Sequence, residues 1–136
     1  MKTLFLHGTI SGVISGTTGI IYSFFYQEMM FLDFSAVINP LSIVTASVLS
    51  CLIMAFAYWV LNQWKKNHLT GILNLVFVLF SLLSTLIPLS ISLPLEIVFP
   101  ELFPGLAVPM HFFPALFFFA LHSFFLKSTQ NEKKNN

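Results

Sequence analysis

The chain has 136 residues, 57% of them hydrophobic and 8% charged. A soluble domain carries about 25% charged residues, so this chain has too few to cover a water-facing surface, and its hydrophobicity excludes disorder. Its basic residues, all lysine, nearly balance its acidic ones at a net charge of +1, which leaves no basic patch for phosphates and no nucleic-acid partner. The expected class is an all-α membrane protein, a four-transmembrane-helix bundle in a lipid bilayer, with no cofactor and no metal.

A hydrocarbon layer about 30 Å thick needs about 20 apolar residues of helix. Four runs qualify, at about 4–26, 41–64, 69–93 and 106–126, and none contains Asp, Glu, Lys or Arg. They define one transmembrane domain over 1–127, followed by a polar tail over 128–136 that is expected to be disordered. A signal peptide is the competing reading of the first run. Lys2 fits it, but the run is long, is interrupted by glycines and lacks a small-residue cleavage site.

The first span carries Gly8, Gly12 and Gly16 at four-residue spacing, with Ser11, Ser15 and Gly19 on the same face. Small residues let two backbones approach closely, the pattern of a glycine zipper. The face serves either packing within the chain or an interface to a second copy or a larger membrane protein. Asn39 and Pro40 form a cap and first-turn proline for the second span. That span has two small faces, Ser42/Ala46/Ser50/Ala57 and Ser47/Cys51/Ala55/Asn62, so it should touch two neighbours. Cys51 is alone, which excludes an intrachain disulfide and points to packing.

The third span lines up Asn74, Ser81, Thr85, Pro88 and Ser92 on one face, within roughly 60°. Polar groups in lipid seek partners, so the stripe should face the interior, and Pro88 should kink the helix. The segment 94–109 is apolar and proline-rich. It is expected to cap the bundle with Phe99 and Phe103 turned inward, near Glu96 and Glu101. In the fourth span, His111 and His122 share one face and lie about 16 Å apart along the axis. His111, between Pro109 and Pro114, is expected to face the third span near Pro88 and Ser92. A buried ionisable residue in a span is a functional candidate, and a hydrogen-bonded neutral imidazole is its structural counterpart.

Lys2, Lys65, Lys66, Lys127, Lys133 and Lys134 fall in regions that four spans place on one side, with Tyr58, Trp59 and Trp64 beside the lysine pair. A lysine excess marks the cytoplasm, so both termini are expected there, in a bacterial inner membrane.

The segments NPLSI, SLLSTLIP and VPMHFFPALFFFALHSFF resemble those of a group of short bacterial four-helix membrane proteins of unknown function. The resemblance covers about the last two thirds of the chain and implies membership without an activity.

No motif of an enzyme is present: no embedded carboxylate pair, no HExxH, no phosphate loop. Glu96, Glu101 and His111, with Glu28 or Asp33, are ligand types that suit zinc or manganese, although spacing alone imposes no such geometry. His7 and His122, at similar depth on different helices, are the only pair that could bracket a haem. Two function classes therefore stand. The first is a structural or accessory membrane subunit. The alternative is a small channel or transporter with a polar interior lined by the third span and His111.

Overall fold

The computed structural model describes residues 2–91 and 99–134 and is all-helical over them. The helices are α1 (Lys2–Met30), α2 (Pro40–Gln63), α3 (Thr70–Ser84), α4 (Leu86–Ser90) and α5 (Phe103–Lys134). Four stretches are long and apolar enough to cross a membrane: α1, α2, α3 with α4, and the first part of α5. At 1.5 Å per residue, α1 is about 43 Å long and α5 about 48 Å, so both exceed the apolar layer.

Helix ends follow from local chemistry. Asn39 accepts from Ser42 N–H at 2.8 Å, and the Ser42 hydroxyl oxygen accepts from Asn39 N–H at 3.3 Å, a reciprocal cap ahead of Pro40. Both α1 and α2 close with the same reversal. Phe31 and Lys65 take left-handed φ of 55° and 54°. The next amides, Leu32 and Lys66, then bond to the carbonyls of Gln27 at 2.9 Å and Leu61 at 3.1 Å. The turn after α1 folds inward: Gln27 Oε1 accepts from Phe34 N–H at 2.6 Å, and Phe34 is fully buried. Hydrogen bonds from the Ser35 hydroxyl and backbone N–H hold the Asp33 carboxyl below its usual range.

Two boundaries differ from the sequence expectation. The helix α5 begins at Phe103, not 106, because Pro104 fits a first turn that needs no amide donor. It also runs on to Lys134, where a disordered tail was expected. No glycine or proline follows Pro114, and Gln130, Glu132, Lys133 and Lys134 all favour helix. The third span breaks near Pro88. The turn falls at Thr85, whose amide bonds to Leu82 O at 3.2 Å in a tighter pitch.

The glycine face of α1 lies on α2 of the same chain. A Cβ built on Gly12 would stand 2.5 Å from Val48 Cα, and one on Gly16 would stand 2.8 Å from Val44 Cα. Gly8 meets Ala55 and the Cys51 carbonyl, and Gly19 meets Ile43. The two backbones are therefore in direct contact over about three turns. The other side of α1 packs on α5. At one end Phe34 crosses Phe103 at 5.6 Å, beside buried Leu32 and Leu106. At the other, Cys51, Met54, Ala55, Tyr58 and Phe118 form a second core cluster.

His7, His122, Tyr58 and Asn74 are neighbours, so the start of α1, the end of α2, the start of α3 and the later part of α5 lie at one end of the bundle. All the lysines flank that end. Among the described residues, Glu28, Asp33 and Glu101 stand toward the other end.

Replacing Gly12 by alanine should lower stability by about 1–3 kcal/mol through overpacking, and leucine should cost more. Gly71 has no neighbour within 4 Å, so Gly71→Ala should be neutral or slightly stabilising. Thermal unfolding in detergent measures all three. Equal melting of Gly12→Leu and the parent would contradict the contact. Phe31 is 94% exposed, so Phe31→Gly should relieve the left-handed strain and gain about 1 kcal/mol in the same assay.

Candidate functional site

Polar side chains from three helices converge on the backbone of α5 and of the turn that leads into it. Tyr26 donates to Leu102 O at 2.9 Å and Tyr22 to Gly105 O at 2.8 Å. Ser81 donates to His111 O at 2.8 Å, and His7 Nε2–H to Phe118 O at 3.1 Å. Cys51 makes the weaker contact, Sγ to Pro114 O at 3.5 Å. One of these acceptors is explained by the sequence. Pro109 has no amide hydrogen, so the Gly105 carbonyl four residues back lacks its helical donor, and Tyr22 supplies one. The same close approach makes Gly105 necessary, because a Cβ there would strike the Tyr26 hydroxyl.

The expected polar stripe resolves residue by residue. Ser81 and Thr85 are buried, and Asn74 accepts from the Tyr58 hydroxyl. Thr85 turns its hydroxyl back to Leu82 O at 2.7 Å. Ser92 and Glu96 lie outside the described residues. His111 is half-buried, and its Nδ1–H donates to Ala107 O of its own helix at 2.7 Å. Its depth differs from the expectation. The His111 carbonyl is level with Ser81, seven residues and about 10 Å before Pro88. The earlier start of α5 sets His111 two turns inside the helix, not one. Of the two capping aromatics, Phe103 is buried as expected, whereas Phe99 is 56% exposed.

Two sites emerge. The first is an aromatic cluster around His7, which is 1% exposed. Its ring lies 4.5 Å from Phe118, 4.9 Å from Phe125 and 5.5 Å from His122. Tyr58 packs on His122 at 4.9 Å. The two imidazoles touch directly, with His7 Nε2 committed to a carbonyl, so no macrocycle fits between them. Because Nε2 carries the hydrogen in the neutral ring, His7 Nδ1 is an acceptor. It is buried without a partner among the described residues, as are the hydroxyls of Ser11 and Ser15.

The second site is a cleft of about 600 Å³ between α2 and α3, floored by α5. The helices α2 and α3 meet at Tyr58, against Asn74 and Phe77. Farther out they part. The small face of α2 that begins at Ser42 (Ser42, Ala46, Ser50) therefore has no helix on it and lines the cleft, opposite Phe77 and Phe80. His111 and Pro114 form part of the floor. The expectation of two helical neighbours for α2 holds for the α1 and α5 contacts, and this face is left over. Glu101 and His111 do not join in a metal-ligand group, and no cluster of three such ligands occurs among the described residues. The His7–His122 contact and the cleft were both missed by sequence reasoning.

Compared with protein-family models, curated proteins and solved structures, the chain matches none. The resemblance to short four-helix bacterial proteins therefore rests on the quoted segments alone.

Ser81→Ala should cost about 0.6–1.7 kcal/mol, the value of one interhelical hydrogen bond in a membrane bundle. Tyr22→Phe should cost a similar amount, and less in a Pro109→Ala background, where an amide hydrogen returns to the Gly105 carbonyl. Equilibrium unfolding of the two single variants and the double variant in detergent measures this coupling. A cycle with no coupling would show that Tyr22 does not serve that carbonyl.

Proposed function

We infer that this chain is a structural or accessory subunit of a bacterial inner membrane, spanning it four times with both termini in the cytoplasm. The observation that supports this most is what the interior side chains bond to. Ser81 and His7 spend their hydrogen bonds on α5 carbonyls, Tyr58 and Asn74 satisfy each other, and Thr85 and His111 bond within their own helices. A conduit needs polar groups free to replace a solute's water, and the bonds these groups make go to helix backbones or to each other instead. The third span supports the same reading. Only 11% of its apolar window is buried, against 39% for α1, so it is the element most available to a neighbour. Sidedness rests on the lysines gathered at one end of the bundle.

A phosphatase or fluorescent-protein fusion after Asn136 tests the topology. Cytoplasmic reporter activity is expected, and periplasmic activity would overturn it. Purified chain in proteoliposomes should move no ions or small solutes above protein-free vesicles. A flux that Ser81→Ala alters would favour the channel reading instead.

A further inference from the structure

We propose that the cleft between α2 and α3 binds an uncharged, lipid-soluble aromatic alcohol, whose hydroxyl donates a hydrogen bond to His111 Nε2. The site is built from three features. Its volume of about 600 Å³ lies in the range of drug-sized ligand pockets. None of its lining residues is charged, so a charged ligand would be desolvated there without a counter-charge. Phe77 and Phe80 on one side, with Met54 and Met110, offer flat and polarizable contacts that suit a ring.

Three polar groups at the cleft have no hydrogen-bond partner among the described residues: His111 Nε2 and the hydroxyls of Ser47 and Ser50. His111 Nδ1–H is committed to Ala107 O, so in the neutral ring Nε2 is the acceptor. Ser47 is 6% exposed and lines the same cleft, and its hydroxyl has no hydrogen-bond partner among the described residues. It can donate to an oxygen of the same molecule. Neighbouring hydroxyls are already used: Ser42 donates to Asn39 O at 2.7 Å, Ser81 to His111 O and Ser84 to Ser81 O at 2.7 Å. The polar demand of the cleft is therefore one acceptor and two hydroxyls, those of buried Ser47 and exposed Ser50, set among apolar walls. A phenol-type hydroxyl meets it, and its ether does not, because the ether has no hydrogen to give. The site stands independently of any partner protein, so it survives or fails apart from the accessory-subunit reading.

The test uses the full chain in lipid nanodiscs, with protein-free discs as the partition control. Three probes are titrated: 2-naphthol, its methyl ether and the single-chain lipid monooleoylglycerol. Saturable binding of 2-naphthol is expected, about five- to tenfold tighter than the ether, as one hydrogen bond to a neutral acceptor allows. His111→Phe keeps a ring but removes the acceptor, and should erase that preference while leaving helicity and melting near the parent's. Ala46→Trp fills the cleft from the α2 side and should abolish saturable binding of both ring probes. Equal binding of naphthol and ether, a preference that survives His111→Phe, or no saturable binding would overturn the proposal. Tighter binding of monooleoylglycerol than of naphthol would overturn the aromatic assignment.

Discussion

The backbone carbonyls of α5 are the constraint on which the rest of this bundle depends. An apolar surrounding offers no water to a buried hydroxyl or imidazole, so such donors seek acceptors inside the protein. Here most interhelical acceptors lie along one segment of backbone. Gly105, His111, Pro114 and Phe118 on α5, with Leu102 in the turn just before it, take donors from α1, α2 and α3. These bonds fix the rotation of α1 against α5. With α1 so turned, its glycine face can only lie on α2, where Gly12 and Gly16 bring backbone against backbone. A compact α1–α2–α5 unit follows, and α3 is tied to it at a few points.

That division accounts for the cleft. The helix α3 is held by Ser81 on the His111 carbonyl and by the Tyr58–Asn74 bond near the connecting turn. Between α2 and α3 there is no glycine contact of the kind that draws α1 onto α2. The small residues Ser42, Ala46 and Ser50 on α2 face Phe77 and Phe80 across a gap. Large rings opposite small side chains fill a space only when the backbones are close, and here they are not. Packing energy in membrane bundles comes from such contact, so the weakly buried third span is the part of the fold most open to an added partner or ligand.

Much of the architecture was legible in the sequence because it follows from periodicity. The four apolar runs, the glycine face, the Asn39–Pro40 start and the interruption near Pro88 all come from local rules. What local rules do not carry is which helix answers which. Pro109 announces a carbonyl without a donor, yet Tyr22, 83 residues away in sequence, is not marked as its partner. His7 and His122 were placed at one depth, but their direct contact depends on the rotation of α1 and α5, which no pattern within one helix specifies. For His111 the difference is one of depth: α5 starts at Phe103, so its carbonyl lies level with Ser81 rather than Pro88, while the residue borders the cleft that Phe77 and Phe80 also line. Beyond 126, polarity alone suggests a free end, whereas Glu, Gln and Lys without glycine or proline continue α5 to Lys134.

The most direct measurement is isotope-edited infrared spectroscopy of individual α5 carbonyls. Labels at Gly105, His111 and Phe118 should absorb at lower frequency than a label at Leu116, whose side chain is 59% exposed. Each should then shift upward when its donor is removed, by Tyr22→Phe, Ser81→Ala or His7→Phe respectively. Carbonyl frequencies that match Leu116 and ignore all three substitutions would contradict an α5 backbone that holds the other helices.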